Sequence, residues 1–394
     1  MNITDEYDIS VGVDKNDIED DLEDDNNATG ISADANFQYN IDNYTNAVPA
    51  SRLIEDYDRN IIKIPEFQRP YVWNKIDNKT KRHRPSLFID SILLGLPIPP
   101  ISIYKEKDAR EEGYLIDGRQ RIMTMSFFKQ GKLQDGSVFK LKGESISNKW
   151  KNLSYDELEL DMQDKFMRAY IPVTYIRQLD KDMSGNPGAS SIYLLFDRLN
   201  SGGYALHSHE KRGVLGINNP NLLKLCRGLY SLKGWKHIFP ESITNFTKKP
   251  NNQTLYNEYI FRALAFTCNY TKYEGNLAYF LDQFMISYEL SDSKIDEIIN
   301  KTNNVINVFI DAKDKIDKYL KPNGKFNVAL FDSIFVGCYI ALENDSHFGT
   351  KIFIEKYKRF VEGKHFEPKG KRSGADKANT INRLNKAIEI FKEV

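Results

Sequence analysis

Over residues 1–45 the chain shows no apolar periodicity: large apolar side chains are sparse and charges dense, so this stretch cannot bury enough surface to offset the entropy of ordering it. It reads as a disordered acidic tail. From about residue 50 the pattern becomes globular. The segment RNIIKIPEFQRPYVW (59–73) alternates apolar positions and then breaks at Pro65 and Pro70, which predicts an edge strand followed by an irregular, aromatic-rich loop. PSLFIDSILLG starts with Pro85 and ends with Gly95, the punctuation of a short helix. ISIYKE and GYLIDG read as strands. MTMSFFKQG is apolar at helical spacing and closes at Gly131, and AYIPVTYI near 169–176 supplies a further strand.

Beyond SIYLLFDRLN the pattern is helical. NEYIFRALAFTCNY, KIDEIINKTNNVINVFIDAKDKIDKYL and NVALFDSIFVGCYIAL exceed strand length and repeat near 3.6 residues, while the intervening PNN and PNG are turn chemistry. The fold class expected is therefore α+β. A small mixed sheet with helices spans about 48–200, and an α-helical domain spans 201–394.

Composition changes the picture in two places. The net charge of zero hides an asymmetry: between Asp5 and Asp42 lie thirteen acidic residues and one basic one, Lys15, so the rest of the chain is basic by about twelve. A basic body suits nucleic acid or nucleotide phosphates, and equally suits lysine-rich helices solvating their outer faces. The three cysteines, Cys226, Cys268 and Cys338, are far apart in apolar stretches, which makes neither a zinc knuckle nor a disulfide framework and points to a reducing cytoplasm. No apolar run approaches the roughly 20 residues that span a bilayer, and no membrane partner is expected.

Three segments carry candidate chemistry. Asp117-Gly118-Arg119-Gln120-Arg121 lies between an apolar strand and an apolar helix. Gly118 permits a tight turn or a close approach of backbone to phosphate, and the amides opening a helix carry the positive end of its dipole. Arg119 and Arg121 offer fork-shaped donors to phosphate oxygens, and Asp117 can hold a metal-bound water or orient an arginine. A capped turn with a solvated arginine pair accounts for the same residues. In the second segment, Gln68 and Arg69 stand between Pro65 and Pro70 beside Phe67, Tyr71 and Trp73. That pattern is either a base- or ribose-recognising edge or a loop stapled to the core by its aromatics. The third, Phe196-Asp197-Arg198-Leu199-Asn200-Ser201-Gly202-Gly203, ends a helix on a glycine nest within reach of which Asn200 could contact phosphate or sugar. A helix cap explains it as well. The six histidines are scattered and no set has zinc spacing, so no metal ligand is expected.

The order and wording of these three segments resemble the N-terminal domain of GmrSD-type modification-dependent restriction enzymes. That family shows an IPxFQRxYVW-like stretch, a DGQQR-like stretch and an FxRLNSGGxxL…E stretch, which correspond here to Ile64–Trp73, Asp117–Arg121 and Phe196–Gly203 with Leu206 and Glu210. The resemblance extends over about 50–390 and implies a ParB/sulfiredoxin-like fold that binds a nucleoside triphosphate, with Mg2+, and a setting of restriction-like defence against foreign DNA. It implies catalytic parts for Asp117 and Gln120 and nucleotide contacts for Gln68, Arg69, Gly118, Arg119, Arg121 and Asn200. Arg119 stands where the family usually shows Gln, which keeps a phosphate-capable side chain and favours binding over hydrolysis. The His–Asn nuclease motif of the complete enzymes is not found, so the resemblance implies a sensor or regulator working with DNA and a separately encoded nuclease. Two other readings remain open at this point: a DNA-binding module without nucleotide turnover, and a ParB-like nuclease.

Overall fold

The computed structural model describes residues 41–65, 71, 73, 82–105, 112–178, 195, 199, 212–213, 215–216, 219–245, 252–321, 326–345, 347–365 and 376–393. It is α+β, as expected: a five-stranded mixed sheet comes first and mostly helices follow. No helix of the described residues is long and apolar enough to cross a membrane.

The sheet is built from β1 (Ile41–Pro49), β2 (Ile62–Lys63), β3 (Ile101–Lys105), β4 (Gly113–Asp117) and β5 (Tyr170–Gln178), in the spatial order β1-β5-β3-β4-β2. β1 runs antiparallel to β5, β5 parallel to β3, β3 antiparallel to β4, and β4 parallel to β2. The two-residue β2 lies at the edge of the sheet, and Pro65, two residues after its end, cannot donate to a ladder. β1 corrects the reading of 1–45 as tail. Its nine residues pair with β5 from Ile41↔Gln178 to Pro49↔Tyr170, although most of its side chains are exposed. An edge strand wetted on both sides leaves no apolar alternation in the sequence, so the pattern could not announce it.

Helices α1 (Ala50–Asp58), α2 (Arg84–Leu94), α3 (Arg119–Gln130) and α4 (Leu160–Arg168) contribute to the main core beside the sheet. Leu53, Ile89, Ile122, Phe128 and Phe166 meet Ile101, Ile103, Leu115 and Val173 there. Pro85 opens α2 and Gly95, at φ 76°, closes it; Gly131, at φ 69°, closes α3. The irregular segment between α3 and α4 is tied down by two buried groups. Asp90 accepts from Trp150 Nε1 at 2.6 Å and Ser147 N at 3.1 Å, and Ser86 Oγ accepts from Lys142 N at 2.9 Å. On the other face of the sheet a small cluster of Tyr104, Ile116 and Ile176 is covered by Ile41, Tyr114 and Leu195.

After 219 the described residues are mostly helical: α5 (Pro220–Tyr230), α6 (Trp235–Ile238), α7 (Glu241–Thr244), α8 (Asn252–Asn269), α9 (Leu277–Ser287), α10 (Asp292–Leu320), α11 (Val328–Asn344), α12 (Thr350–Glu362) and α13 (Lys377–Lys392). Asn219, Asn327 and Asp376 cap α5, α11 and α13 through their side-chain oxygens. Contacts divide the molecule into two compact units. One comprises the described part of 33–261 with 282–300; the other comprises 262–281 with the described residues from 301 onward. In the second unit α11 is buried along most of its length, and its one buried charge, Asp332, accepts from Arg262 Nε at 2.7 Å. Gly337 brings α11 close to α13, since a Cβ there would stand 3.0 Å from the Phe391 ring. Cys226 and Cys338 are buried free thiols, and Cys268 is a partly buried one.

Candidate functional site

β4 ends at Asp117 and α3 begins at Arg119, so the whole DGRQR segment is one strand–turn–helix. Gly118 makes the turn with φ 103°, a left-handed value costly for any residue with a Cβ. A Cβ there would also lie 2.9 Å from Ile101 Cγ1, so both conformation and space require glycine. Having no side chain, Gly118 cannot cap the helix, and the first-turn amides have no partner within the helix itself.

The charged side chains around the turn divide in purpose. Arg121 Nη1 donates to Pro99 O at 2.6 Å and Pro100 O at 2.9 Å, while Nη2 donates to Asp117 Oδ2 at 2.5 Å. Its side chain is only 12 % exposed. Three of the five guanidinium donors thus fix the Pro-Pro loop before β3 to the end of β4. Asp117, partly exposed, holds the Nη2 end of that arginine. Arg119 lies half-buried along α3 with Nε 3.5 Å from Met123 Sδ, and its charge reaches the half-buried Tyr57 hydroxyl of α1, whose pKa burial raises. Gln120 is half-buried, and its carbonyl accepts from Thr124 Oγ1 at 2.6 Å.

The Ile64–Trp73 segment is anchored to the same helix through Tyr71. Tyr71 is buried, packs edge-on against Phe127 with centroids 5.1 Å apart, and places its hydroxyl 2.9 Å from Thr124 Oγ1. Because the single threonine proton is given to Gln120 O, Tyr71 is the donor in that contact. Burial pushes the phenol up to about 12, which keeps it protonated. Trp73 meets Phe88 edge-on at 6.0 Å. These two aromatics are therefore staples of the segment onto α3 and α2 rather than exposed stacking surfaces. Gln68, Arg69 and Phe67 lie outside the described residues, as does Asn200. Leu195, immediately before the third segment, packs onto the Tyr104–Ile116–Ile176 cluster, which includes the residue preceding Asp117.

The structure thus brings Asp117, Gly118, Arg119, Gln120 and Arg121 together on one turn, with Tyr71 one helical turn along. Pattern reading missed three groups. Thr124 and Tyr57 are ordinary core-facing polar residues in the sequence, without local signal. Pro99 and Pro100 did carry one, because a Pro-Pro pair before a strand exposes carbonyls that no ladder uses.

Comparison with known proteins adds one finding. Residues 50–214 match the family model described as the N-terminal domain of the GmrSD restriction endonuclease. No curated protein and no solved structure matches the chain. The match covers all three motif segments and suggests a restriction-like defence component. It ends at 214, short of the helical stretch to which the motif resemblance extended.

Proposed function

We propose that this chain is a nucleoside-triphosphate-binding sensor or regulatory component of a restriction-like defence system against foreign DNA, with the DGRQR turn as its phosphate site. One observation carries the reading: a left-handed, uncapped Gly118 opens the twelve-residue α3 at the tip of β4, with two arginines in its first turn. Helix dipole, first-turn amides and guanidinium groups then act on the same point, the arrangement that favours a bound polyphosphate. In this reading Arg119 and the turn amides take phosphate oxygens, and Arg121 keeps the turn in shape while offering its two remaining donors. Gln68, Arg69 and Asn200 complete the pocket from the neighbouring segments. Mg2+ arrives with the triphosphate, and Asp117 and Gln120 are the groups closest to any hydrolytic water. The ParB/sulfiredoxin-like domain is assigned to 48–200 and the helical domain to 201–394. A cytoplasmic location and a separately encoded nuclease partner belong to the same proposal.

Titration calorimetry with each of the four ribonucleoside triphosphates and magnesium tests it, since heat of binding from none of them refutes the reading. The expected product of incubating the isolated chain with plain or base-modified DNA is intact DNA. Phosphate-holding arginines without an activated water give affinity rather than turnover. Cleavage abolished by Asp117→Ala would replace the sensor with a nuclease. A second reading, a DNA-binding module without triphosphate, is favoured by the basic excess outside the acidic tail. Salt-dependent DNA binding in the absence of any triphosphate binding would select it.

A further inference from the structure

The end of the sheet that carries the DGRQR turn has a second feature. A cleft of about 550 Å³ opens there, lined by Ile92, Leu96, Ile98, Lys165, Arg168 and Tyr170 among others. Large apolar side chains stand in water around it or on the helix that borders it: Leu94 is 48 % exposed, Leu96 52 %, Tyr170 70 % and Leu160 80 %. These four residues come from the end of α2, the loop after it, the start of α4 and the first residue of β5, and Leu96 and Tyr170 line the cleft itself.

The charges on α4 say what covers it. Asp161, Asp164, Lys165 and Arg168 occupy positions i, i+3, i+4 and i+7, so they form one stripe along the helix, and all four are exposed. Acidic groups fill the N-terminal half and basic groups the C-terminal half. Among the described residues Arg168 and Asp164 pair, at 3.0 Å, an exposed contact easily exchanged. Asp161 and Lys165 form no ion pair with a described residue. A two-fold interface must be complementary to itself, and this stripe is. Laid antiparallel on a copy of itself, it sets Asp161 opposite Arg168 of the second copy and Asp164 opposite Lys165 of the second copy. A uniformly acidic or basic partner surface would meet repulsion along half of it.

We propose that this chain associates with a second copy of itself through antiparallel pairing of α4, with the apolar rim of Leu96, Leu160 and Tyr170 closing over the adjoining clefts. The loop that walls the cleft is the one whose Pro99 and Pro100 carbonyls hold Arg121, so the dimer would brace the turn from behind in each copy.

Sedimentation velocity over a range reaching roughly 100 µM reads the association directly. The wild type is expected to shift from monomer to dimer, less readily at high salt. Asp161→Lys with Asp164→Lys should weaken association at least tenfold, as should Lys165→Glu with Arg168→Glu. An equimolar mixture of the two double variants should restore dimers. Tyr170→Ser, which keeps every charge, should also weaken it. Thermal melts of each variant establish that it folds. A wild type that stays monomeric throughout overturns the proposal, and the stripe then only complements the dipole of its own helix. Charge-reversed variants that dimerise like wild type, or a mixture that does not recover, overturn it equally.

Discussion

Arg121 and Arg212 are both held by short hydrogen bonds, and their settings differ in kind. Arg121, at the start of α3, faces two proline carbonyls and one partly exposed carboxylate. Arg212 is completely buried between two carboxylates that are each only 9 % exposed, with Nε 2.7 Å from Asp282 and Nη1 2.5 Å from Glu258. The first setting leaves donors to spare at a turn that also presents helix amides. The second draws α8, α9 and the residues after the third motif segment into one buried charge cluster. A guanidinium at the protein's edge can exchange part of its shell for a ligand. One sealed between carboxylates can only be kept or lost, since removing it strands charge in a low-dielectric interior.

The comparison breaks first at Arg212. Arg212→Met should destabilise the fold by about 3–5 kcal/mol, because Glu258 and Asp282 stay buried without their counter-charge. Urea unfolding measures this, and a loss below about 1 kcal/mol would mean the cluster is not a lock. Next is the turn itself. Gly118→Ala should cost about 2–3 kcal/mol, from left-handed strain together with the collision at Ile101. Gly95→Ala is the control: its φ is 76° but nothing lies within 4 Å of the added Cβ, so about 1 kcal/mol is expected. Equal losses at the two glycines would show that backbone conformation alone matters and that the packing of the turn against β3 does not.

The same contrast between sealed and open groups governs pH. His83 is buried at the start of α2 with Nδ1 2.6 Å from Ser86 Oγ, and burial, aided by the Lys142 charge, lowers its pKa from 6.5 to about 4. As pH falls below 6.5 the unfolded chain takes up the proton first, so the folded state loses stability progressively down to about pH 4. The loss should be on the order of 2 kcal/mol and should flatten in His83→Gln. Melting profiles between pH 7 and 4 check it, and a wild-type profile parallel to that of the variant would remove His83 as the cause.

What was legible in the sequence follows the same physics. The strands ISIYK and GYLID, the Pro85-to-Gly95 helix and the Gly131 stop were readable because burial on one face and glycine at a left-handed position leave local marks. The exposed β1 and the amphipathic α4, whose only fully buried residue is Phe166, left weak ones. At the site, the DGRQR turn was legible from its place between strand and helix. That Arg121 would be occupied by Pro99 and Pro100, and that Tyr71 would reach Thr124, depends on residues about 20 and 53 positions apart, a pairing only the folded chain creates.

The most direct test of the account compares Arg119→Ala with wild type by titration calorimetry, using whichever triphosphate the wild type binds in the presence of magnesium. Losing charge-assisted bonds to phosphate removes on the order of 1.5–3 kcal/mol, so affinity should fall at least about tenfold while the melting temperature holds. Wild-type affinity in Arg119→Ala, or no triphosphate bound by the wild type at all, would contradict the assignment of the turn as a phosphate site.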